Sequence, residues 1–232
     1  MRELRATISI LCCNRLDQTK RCITSVLENT PEKDIEILLT DNGSTDITGF
    51  YLLQLKDPRV QVIYHKKNLG FILGNEHALT LAKGDYFVML NNDMIVEQDW
   101  LKHLLKEFSD SAVKLAGSHS SMIPGSKWYF MKHDEDDFDY IEGCCVAVPT
   151  KFIKEFGLFN KELLIAYGED SDLSLRLRKA GYLIKKAKDC VVHHINGPKT
   201  MDVMKLDRDA LHKNNHTVFM KNWGYYLEDR KL

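Results

Sequence analysis

The sequence predicts an α/β protein with a mixed, mainly parallel sheet flanked by helices. Apolar runs alternate with amphipathic segments through the first half of the chain, the pattern of strands joined by helical crossovers. The runs are almost continuously apolar, as expected of strands covered on both faces. The second and fourth runs end in Asn, Asp and Gly, which puts polar loops at the edge where such sheets bind ligands.

"TISILCCN" (7–14) reads as the first strand and "LDQTKRCITSVLENT" (16–30) as a helix, with Leu16, Cys22, Ile23, Val26 and Leu27 on one face. "DIEILLTDNGSTD" (34–46) is a strand running into a polar loop, and "VQVIYHKK" (60–67) is a third strand. "NLGFILGNEHALTLAKG" (68–84) gives a loop, a helix and a glycine stop, followed by the strand "DYFVMLNND" (85–93) and the helix "QDWLKHLLKEF" (98–108). Further on, 113–120 and 140–150 read as strands, 121–138 as a polar surface loop and "KFIKEFG" as a short helix. "EDSDLSLRLRKAGY" (169–182) is a helix with Leu173, Leu177 and Ala180 on one side, basic residues in its last turn and a stop at Gly181. "LIKKAKDCVVHH" (183–194) reads as one strand, and the tail from about Met201 is amphipathic and helical.

The 232 residues suit one domain or two tightly joined halves, with a helical tail over 201–232. At 44% hydrophobic and 28% charged residues, with a net charge of -1, composition gives no reason to expect a nucleic-acid partner. No apolar stretch reaches the roughly 20 residues that span a bilayer, and the start does not read as a secretion signal. The six cysteines show no C-x-x-C spacing, so reduced, mostly buried thiols in the cytoplasm are expected, and the Asn-x-Ser/Thr matches at Asn42 and Asn215 carry no glycan.

No G-x-G-x-x-G, P-loop, H-E-x-x-H or Ser-His-Asp signature occurs. The chemistry-bearing residues are acids at strand ends. Asp41 and Asp46 fit an Asx turn around Asn42-Gly43 or contacts to a base or ribose. Asn91-Asn92-Asp93 fits a turn or a cation site, since hard cations take carboxylate, phosphate and water oxygens. Glu169, Asp170 and Asp172 crowd a helix start; one carboxylate caps a helix, and crowding raises the pKa of another towards a general base's range. His193 and His194 end a strand as candidate cation or phosphate contacts.

Order and spacing together are more specific. Over about residues 6–200 the chain resembles the family 2 glycosyltransferases of the GT-A fold, through "SILCCNR", "LLTDNGSTD", "NLGFILGNEHAL", "VMLNND", "EGCCVAVPT", "FGLFNKELLIAYGEDSDLSLRLRKAGY" and "VVHHINGPKT". The resemblance implies an inverting transfer from a nucleotide-diphosphate sugar to a hydroxyl of a glycan or glycoconjugate, with Mn²⁺ or Mg²⁺ at the diphosphate. It implies a single domain with a nucleotide-sugar-binding half to about 95 and an acceptor-binding half over about 96–200, donor contacts from Asn14, Arg15, Asp41, Asn42 and Asp46, and a nucleotide-sugar pocket lined by Asn68, Gly70 and Asn75. Asn91 and Asn92 stand with Asp93 where the family carries D-x-D. Asp93 then holds the metal, with His194, which begins an "HxxG" spacing to Gly197, or His193 completing that site. Asp170 is implied as the base, with Glu169 beside it. Asn91 departs from the acidic pattern, in the Asn-Asn-Asp form of members resembling rhamnosyltransferases. Peripheral membrane contact and membership of a larger glycan-assembly enzyme are compatible with this pattern. A sugar-phosphate nucleotidyltransferase is the alternative, although "CCNRLDQTK" is not its Gly-rich basic loop; a non-catalytic nucleotide- or carbohydrate-binding domain is the other.

Overall fold

The computed structural model describes residues 5–123, 138–195 and 208–228, with side chains of the last helix to residue 224. In chain order the first elements are β1 (Ala6–Cys12), α1 (Leu16–Asn29), β2 (Ile35–Asp41), α2 (Thr48–Leu53), β3 (Val60–Tyr64), α3 (Gly70–Leu81), β4 (Tyr86–Asn91), β5 (Met94–Val96) and α4 (Trp100–Lys106). They continue as β6 (Val113–Gly117), β7 (Ser120–Ser121), β8 (Tyr140–Ile141), β9 (Cys145–Pro149), α5 (Thr150–Phe156), α6 (Glu169–Lys179), β10 (Leu183–Lys186), β11 (Val192–His194) and α7 (Arg208–Glu228).

One seven-stranded sheet runs β3-β2-β1-β4-β9-β6-β10. Within it β1 pairs in parallel with both β2 and β4, β2 with β3, and β6 with β10, while β9 lies antiparallel between β4 and β6. The mixed, mainly parallel α/β reading of the sequence is therefore correct. The continuous apolar pattern has a direct cause: alternate residues feed cores on opposite faces. Ile8, Ile10, Val88 and Leu90 pack with Cys22, Ile23 and Val26 of α1 and with Trp100 of α4. Phe87, Met89, Val146 and Val148 pack on the other face with Ile72 and Leu79 of α3 and Leu173 and Leu177 of α6.

One buried polar cluster joins β1, β2 and the turn into β4. The Thr7 hydroxyl donates to Glu36 Oε1 (2.6 Å) and accepts the Gly84 N–H (2.9 Å), and Glu36 Oε1 also accepts the Lys83 N–H (2.7 Å). Gly84 is required here, because a Cβ on it would stand 2.3 Å from the Ala6 carbonyl carbon and 2.4 Å from Thr7 N.

Four local expectations are corrected. The 183–194 strand is two: β10 joins the main sheet, the chain turns at Lys188-Asp189, and β11 pairs antiparallel with β5. The 140–150 strand also splits, β8 pairing with β7 and β9 entering the main sheet. Helix α2 was not evident because it turns Ile47, Phe50 and Leu53 to solvent and buries only Thr48 and Leu52. Ala180 sits at the helix end, exposed, as Gly181 takes a left-handed φ of +84°. Most of the 121–138 loop, with residues 124–137, and the tail residues 201–207 lie outside the described residues. All six cysteines are buried and unbridged. No helix among the described residues is long and apolar enough to cross a membrane.

Gly84→Ala should destabilise the fold by about 1–3 kcal/mol, the usual cost of forcing extra volume into packed structure. Urea unfolding checks this; an unchanged midpoint would mean that β1 and the turn into β4 can separate without loss.

Candidate functional site

The strand order reverses between β1, which leads to β2 and β3, and β4 on its other side. Loops leaving the carboxyl ends of β1 and β4 therefore diverge, and in open α/β sheets this is where a crevice forms. A cleft of about 490 Å³ lies there. Leu11 and Cys13 line it from β1, Asn42, Asn68, Gly70 and Phe71 from the region after β2 and β3, and Asn91, Asn92 and Asp93 from the end of β4. The opposite wall comes from Tyr140, Glu142, Gly143 and Cys144, from Ile165–Tyr167, from Glu169 and Asp170, and from His194. A larger depression of about 780 Å³, lined by Glu36, Arg59 and Lys83 among others, sits at the amino edge of β2 and β3, away from these acids.

Asn42 is the joint of the wall that follows β2 and β3. Only 2% exposed, it donates from Nδ2 to Asn68 Oδ1 (3.0 Å) and the Gly70 carbonyl (3.1 Å), and its Oδ1 accepts the Leu69 N–H (3.0 Å). Asn68 Oδ1 accepts the Gly70 N–H (2.7 Å), and Asn68 Nδ2 reaches Cys13 Sγ at 2.9 Å. These bonds hold Gly70 at φ +77°, where a Cβ would be 2.9 Å from Ile165 Cα. Any other residue would push apart two walls of the cleft.

At the end of β4, Asn92 and Asp93 make the turn into β5. Asn92 Nδ2 donates to Thr19 Oγ1 (2.9 Å), which fixes the turn against α1. The β5–β11 ladder, with His194 opposite Met94 and the Ile195 N–H donating to the Asp93 carbonyl (2.7 Å), then brings His194 Nδ1 to 4.0 Å from Asp93 Oδ1. That oxygen is buried and has no hydrogen-bond partner. His193, one residue earlier on the strand, points to the other side and bonds Glu97 Oε1 (2.6 Å) at the surface.

Three acids begin α6 and separate into different environments. Asp172 accepts from Trp223 Nε1 (2.9 Å) and Arg176 Nε (2.8 Å), so it serves the packing of α6 and α7. Asp170 faces the cleft, with Oδ2 accepting the Gly143 N–H (3.2 Å) and Oδ1 the Ser171 N–H (2.8 Å). Glu169 is buried, its Oε2 unpartnered, and burial followed by the neighbouring Asp170 pushes its pKa up to about 8. Burial also raises Asp170, against the lowering effect of the Gly143 and Ser171 N–H groups. Burial pushes the Cys144 thiol up to about 12 and raises Cys13 as well, so neither cysteine of the cleft is a thiolate nucleophile near neutral pH.

The structure thus gathers Asn42, Asn68, Gly70, Asn91, Asn92, Asp93, Glu169, Asp170 and His194 around one cleft. Asn14, Arg15, Asp41, Asp46 and Asn75 do not line it. Asn14 Oδ1 accepts the Thr45 (2.7 Å) and Asp46 (3.2 Å) N–H groups, and Asp41 Oδ1 accepts that of Ser44 (2.9 Å). Exposed Asp46 caps Thr48 N (2.9 Å) at the start of α2, and Asn75 bonds the Phe71 carbonyl (3.0 Å). Arg15 starts α1 in a left-handed conformation (φ +59°), with its Nε buried and unpartnered. Sequence reasoning missed Tyr140, Glu142 and the Ile165–Tyr167 wall; the "EG" turn after an apolar pair and the glycine before "ED" were the available signals.

The "Glycosyl transferase family 2" model matches residues 7–178. The chain belongs to that family. It is 30% identical to an uncharacterized glycosyltransferase of Haemophilus influenzae, over 95% of this chain and 74% of that protein. It is 25% identical to the glycosyltransferase GlyG of Streptococcus pneumoniae over 81% of its own length, and spans 58% of GlyG's. The mannosyltransferase PcManGT of Pyrobaculum calidifontis, solved in complex with GDP-Man and Mn²⁺, superposes with a TM-score of 0.72 at 16% identity, over 97% of this chain and 68% of that one. That likeness gives the fold, which is GT-A.

Glu169 supplies a pH signature. Its folded pKa, about 8, is raised from an ordinary value of 4.5, so the protonated form is favoured in the folded state. Its contribution is fully present below about pH 4.5 and is lost as pH rises through 8. Glu169→Gln should therefore gain melting temperature relative to the parent progressively between these limits and hold a constant gap above them. A gap independent of pH would refute the buried, proton-holding state.

Proposed function

We propose that this chain is an inverting glycosyltransferase that moves a sugar from a nucleotide-diphosphate sugar to a hydroxyl of a glycan or glycoconjugate, with a divalent cation at the diphosphate. One observation carries the reading: Asp93, Glu142, Glu169 and Asp170 line the cleft, and no Lys or Arg is among its described lining residues. A diphosphate enters such a cleft only with its charge neutralised. The unpartnered, buried Asp93 Oδ1 and the nearby His194 fit that need. Among the described residues no group of three or more His, Cys, Asp or Glu is placed to hold a metal alone, so the remaining positions on the ion belong to phosphate and water oxygens. When bound, the cation offsets the charge that grows on the leaving nucleoside diphosphate.

Asp170 takes the proton of the acceptor hydroxyl, which attacks the anomeric carbon from the face opposite the departing diphosphate. Protonated Glu169 keeps a second negative charge away from that base. The half of the chain up to about residue 95 holds the donor, and the later half holds the acceptor. The donor is a hexosyl or deoxyhexosyl nucleotide, and the rhamnosyltransferase-like subgroup rests on Asn91-Asn92-Asp93 alone. The lengths of the relatives fit a catalytic module within a larger glycan-assembly enzyme.

A melting-temperature panel of sugar nucleotides and nucleoside diphosphates with Mn²⁺, Mg²⁺ or chelator tests the donor. One nucleotide at 100 times its Kd should stabilise by about 2.7 kcal/mol, and only with metal present. Asp93→Ala should abolish that metal-dependent rise; a rise indifferent to chelator would remove Asp93 and the cation from the reading. Asp170→Asn should keep the rise and lower turnover at least about 100-fold, within the usual range for losing a general base. Near-parental turnover would exclude Asp170 as base.

A further inference from the structure

The segment between α5 and α6 follows an unusual path. Ile165 (φ +60°) and Tyr167 (φ +80°) both adopt left-handed conformations, followed by Gly168 (φ +83°). For a β-branched residue such as Ile165 this conformation is strained and persists only where the surroundings over-determine it. Ile165, Ala166 and Tyr167 line the cleft, and Glu169 and Asp170 follow immediately. On one side the Phe71 and Ile72 N–H groups hold the Ile165 carbonyl (2.7 and 3.0 Å). On the other side stands Asn215.

Asn215 belongs to α7, beyond the family-matched residues 7–178. It is 3% exposed, which buries the amide that a glycosylation motif would need at the surface. Its Oδ1 accepts the Leu164 N–H (3.0 Å), and its Nδ2 shares two hydrogens among the carbonyls of Leu164 (2.9 Å), Ala166 (2.8 Å) and Tyr167 (3.0 Å). A single carboxamide therefore satisfies both ends of the strained turn. Helix α7 is itself tied to α6 through Trp223 and Asp172.

We propose that Asn215 is a positioning residue: it holds the Leu164–Tyr167 backbone in its left-handed path and so sets where Asp170 stands in the cleft. The inference rests on the reading of Asp170 as the base, and it gives the chain beyond the family-matched span a part in that site. The residue is matched to its task by type. A carboxamide carries a donor and an acceptor on one rigid plane, whereas Asp would face three carbonyl oxygens with no hydrogen to offer.

The test compares Asn215→Ala and Asn215→Asp with Lys221→Ala, a control on the same helix that removes only an exposed pair with Glu162. Amide hydrogen exchange, affinity for the nucleoside diphosphate that best stabilises the parent with Mn²⁺, and the pH profile of sugar-nucleotide turnover are measured. Both Asn215 variants should speed exchange at Phe71 and Ile72 but not in β1 or β4. They should keep diphosphate affinity within threefold, lower kcat at least tenfold and move the acidic limb of the kcat profile, while the control changes none of these. Unchanged exchange at Phe71 and Ile72 overturns the clamp. Faster exchange with unaltered kcat and acidic limb makes Asn215 merely structural and overturns its positioning role. A parent that turns over no sugar nucleotide defeats the proposed function instead, and the clamp is then decided by exchange alone.

Discussion

The parallel pairing of β1 with both β2 and β4 governs the rest of the molecule. Ala6–Cys12 runs in register with Ile35–Asp41 on one side, and Ala6–Leu11 with Tyr86–Asn91 on the other. All three strands therefore end at one level. Their connections must then part, because α1 packs with the face that holds Val88 and Leu90 whereas α3 packs with the face that holds Phe87 and Met89. The cleft is the space this parting leaves. Its walls are strand ends, the loops that hang from them and the first residues of α3 and α6, and the same pairing that builds the core sets the spacing of the site.

Much of this was legible because burial on both faces writes itself into sequence as unbroken apolar runs, and because acids that terminate such runs mark the ligand edge of the sheet, although Asp41 and Asp46 serve the loop there and not the cleft. The β5–β11 pair was not legible: three residues per strand are too few for a period to show, and the antiparallel contact joins residues about a hundred positions apart. Helix α2 was hidden by its outward apolar face. Harder still were the asparagines. The sequence says that Asn14, Asn42 and Asn68 sit in polar loops, but not whether each amide faces a ligand or a neighbouring main chain. Asn14 and Asn42 spend their hydrogen bonds chiefly on backbone and on adjacent side chains, so residue type marked the region correctly while leaving the division between lining and scaffold open. Asn215 carried no local signal at all, since its partners lie some 50 positions earlier in the chain.

The left-handed residues follow the same logic. Asn14, Arg15, Ile165 and Tyr167 all have positive φ, and all border the carboxyl edge of the sheet. Asn14 is held by Ser44, Thr45 and Asp46, and Ile165 by the first N–H groups of α3. Strain of this kind is retained where the surrounding bonds over-determine it, and here those bonds come from loops that also line the cleft or support its lining.

The charges of the cleft ask for one more step. Four carboxylates share one concave surface, and each pair of like charges at 4 Å costs about 1 kcal/mol in water and about 4 kcal/mol at the effective dielectric of a protein surface. The structure relieves them differently. Glu169 keeps its proton. Asp170 receives two backbone N–H groups. Glu142 accepts the Ser121 hydroxyl. Asp93 presents a buried Oδ1 with no donor, as Glu169 does with Oε2, and on the proposed reading a bound cation would relieve Asp93. A nucleotide diphosphate would add negative charge to this surface, which ties its entry to that of the cation. On the proposed reading the neutral Asn91 is a consistent choice: a second carboxylate beside Asp93 would strengthen a grip on metal but add another negative group to a cleft that already uses protonation and backbone donors to accommodate its carboxyl groups.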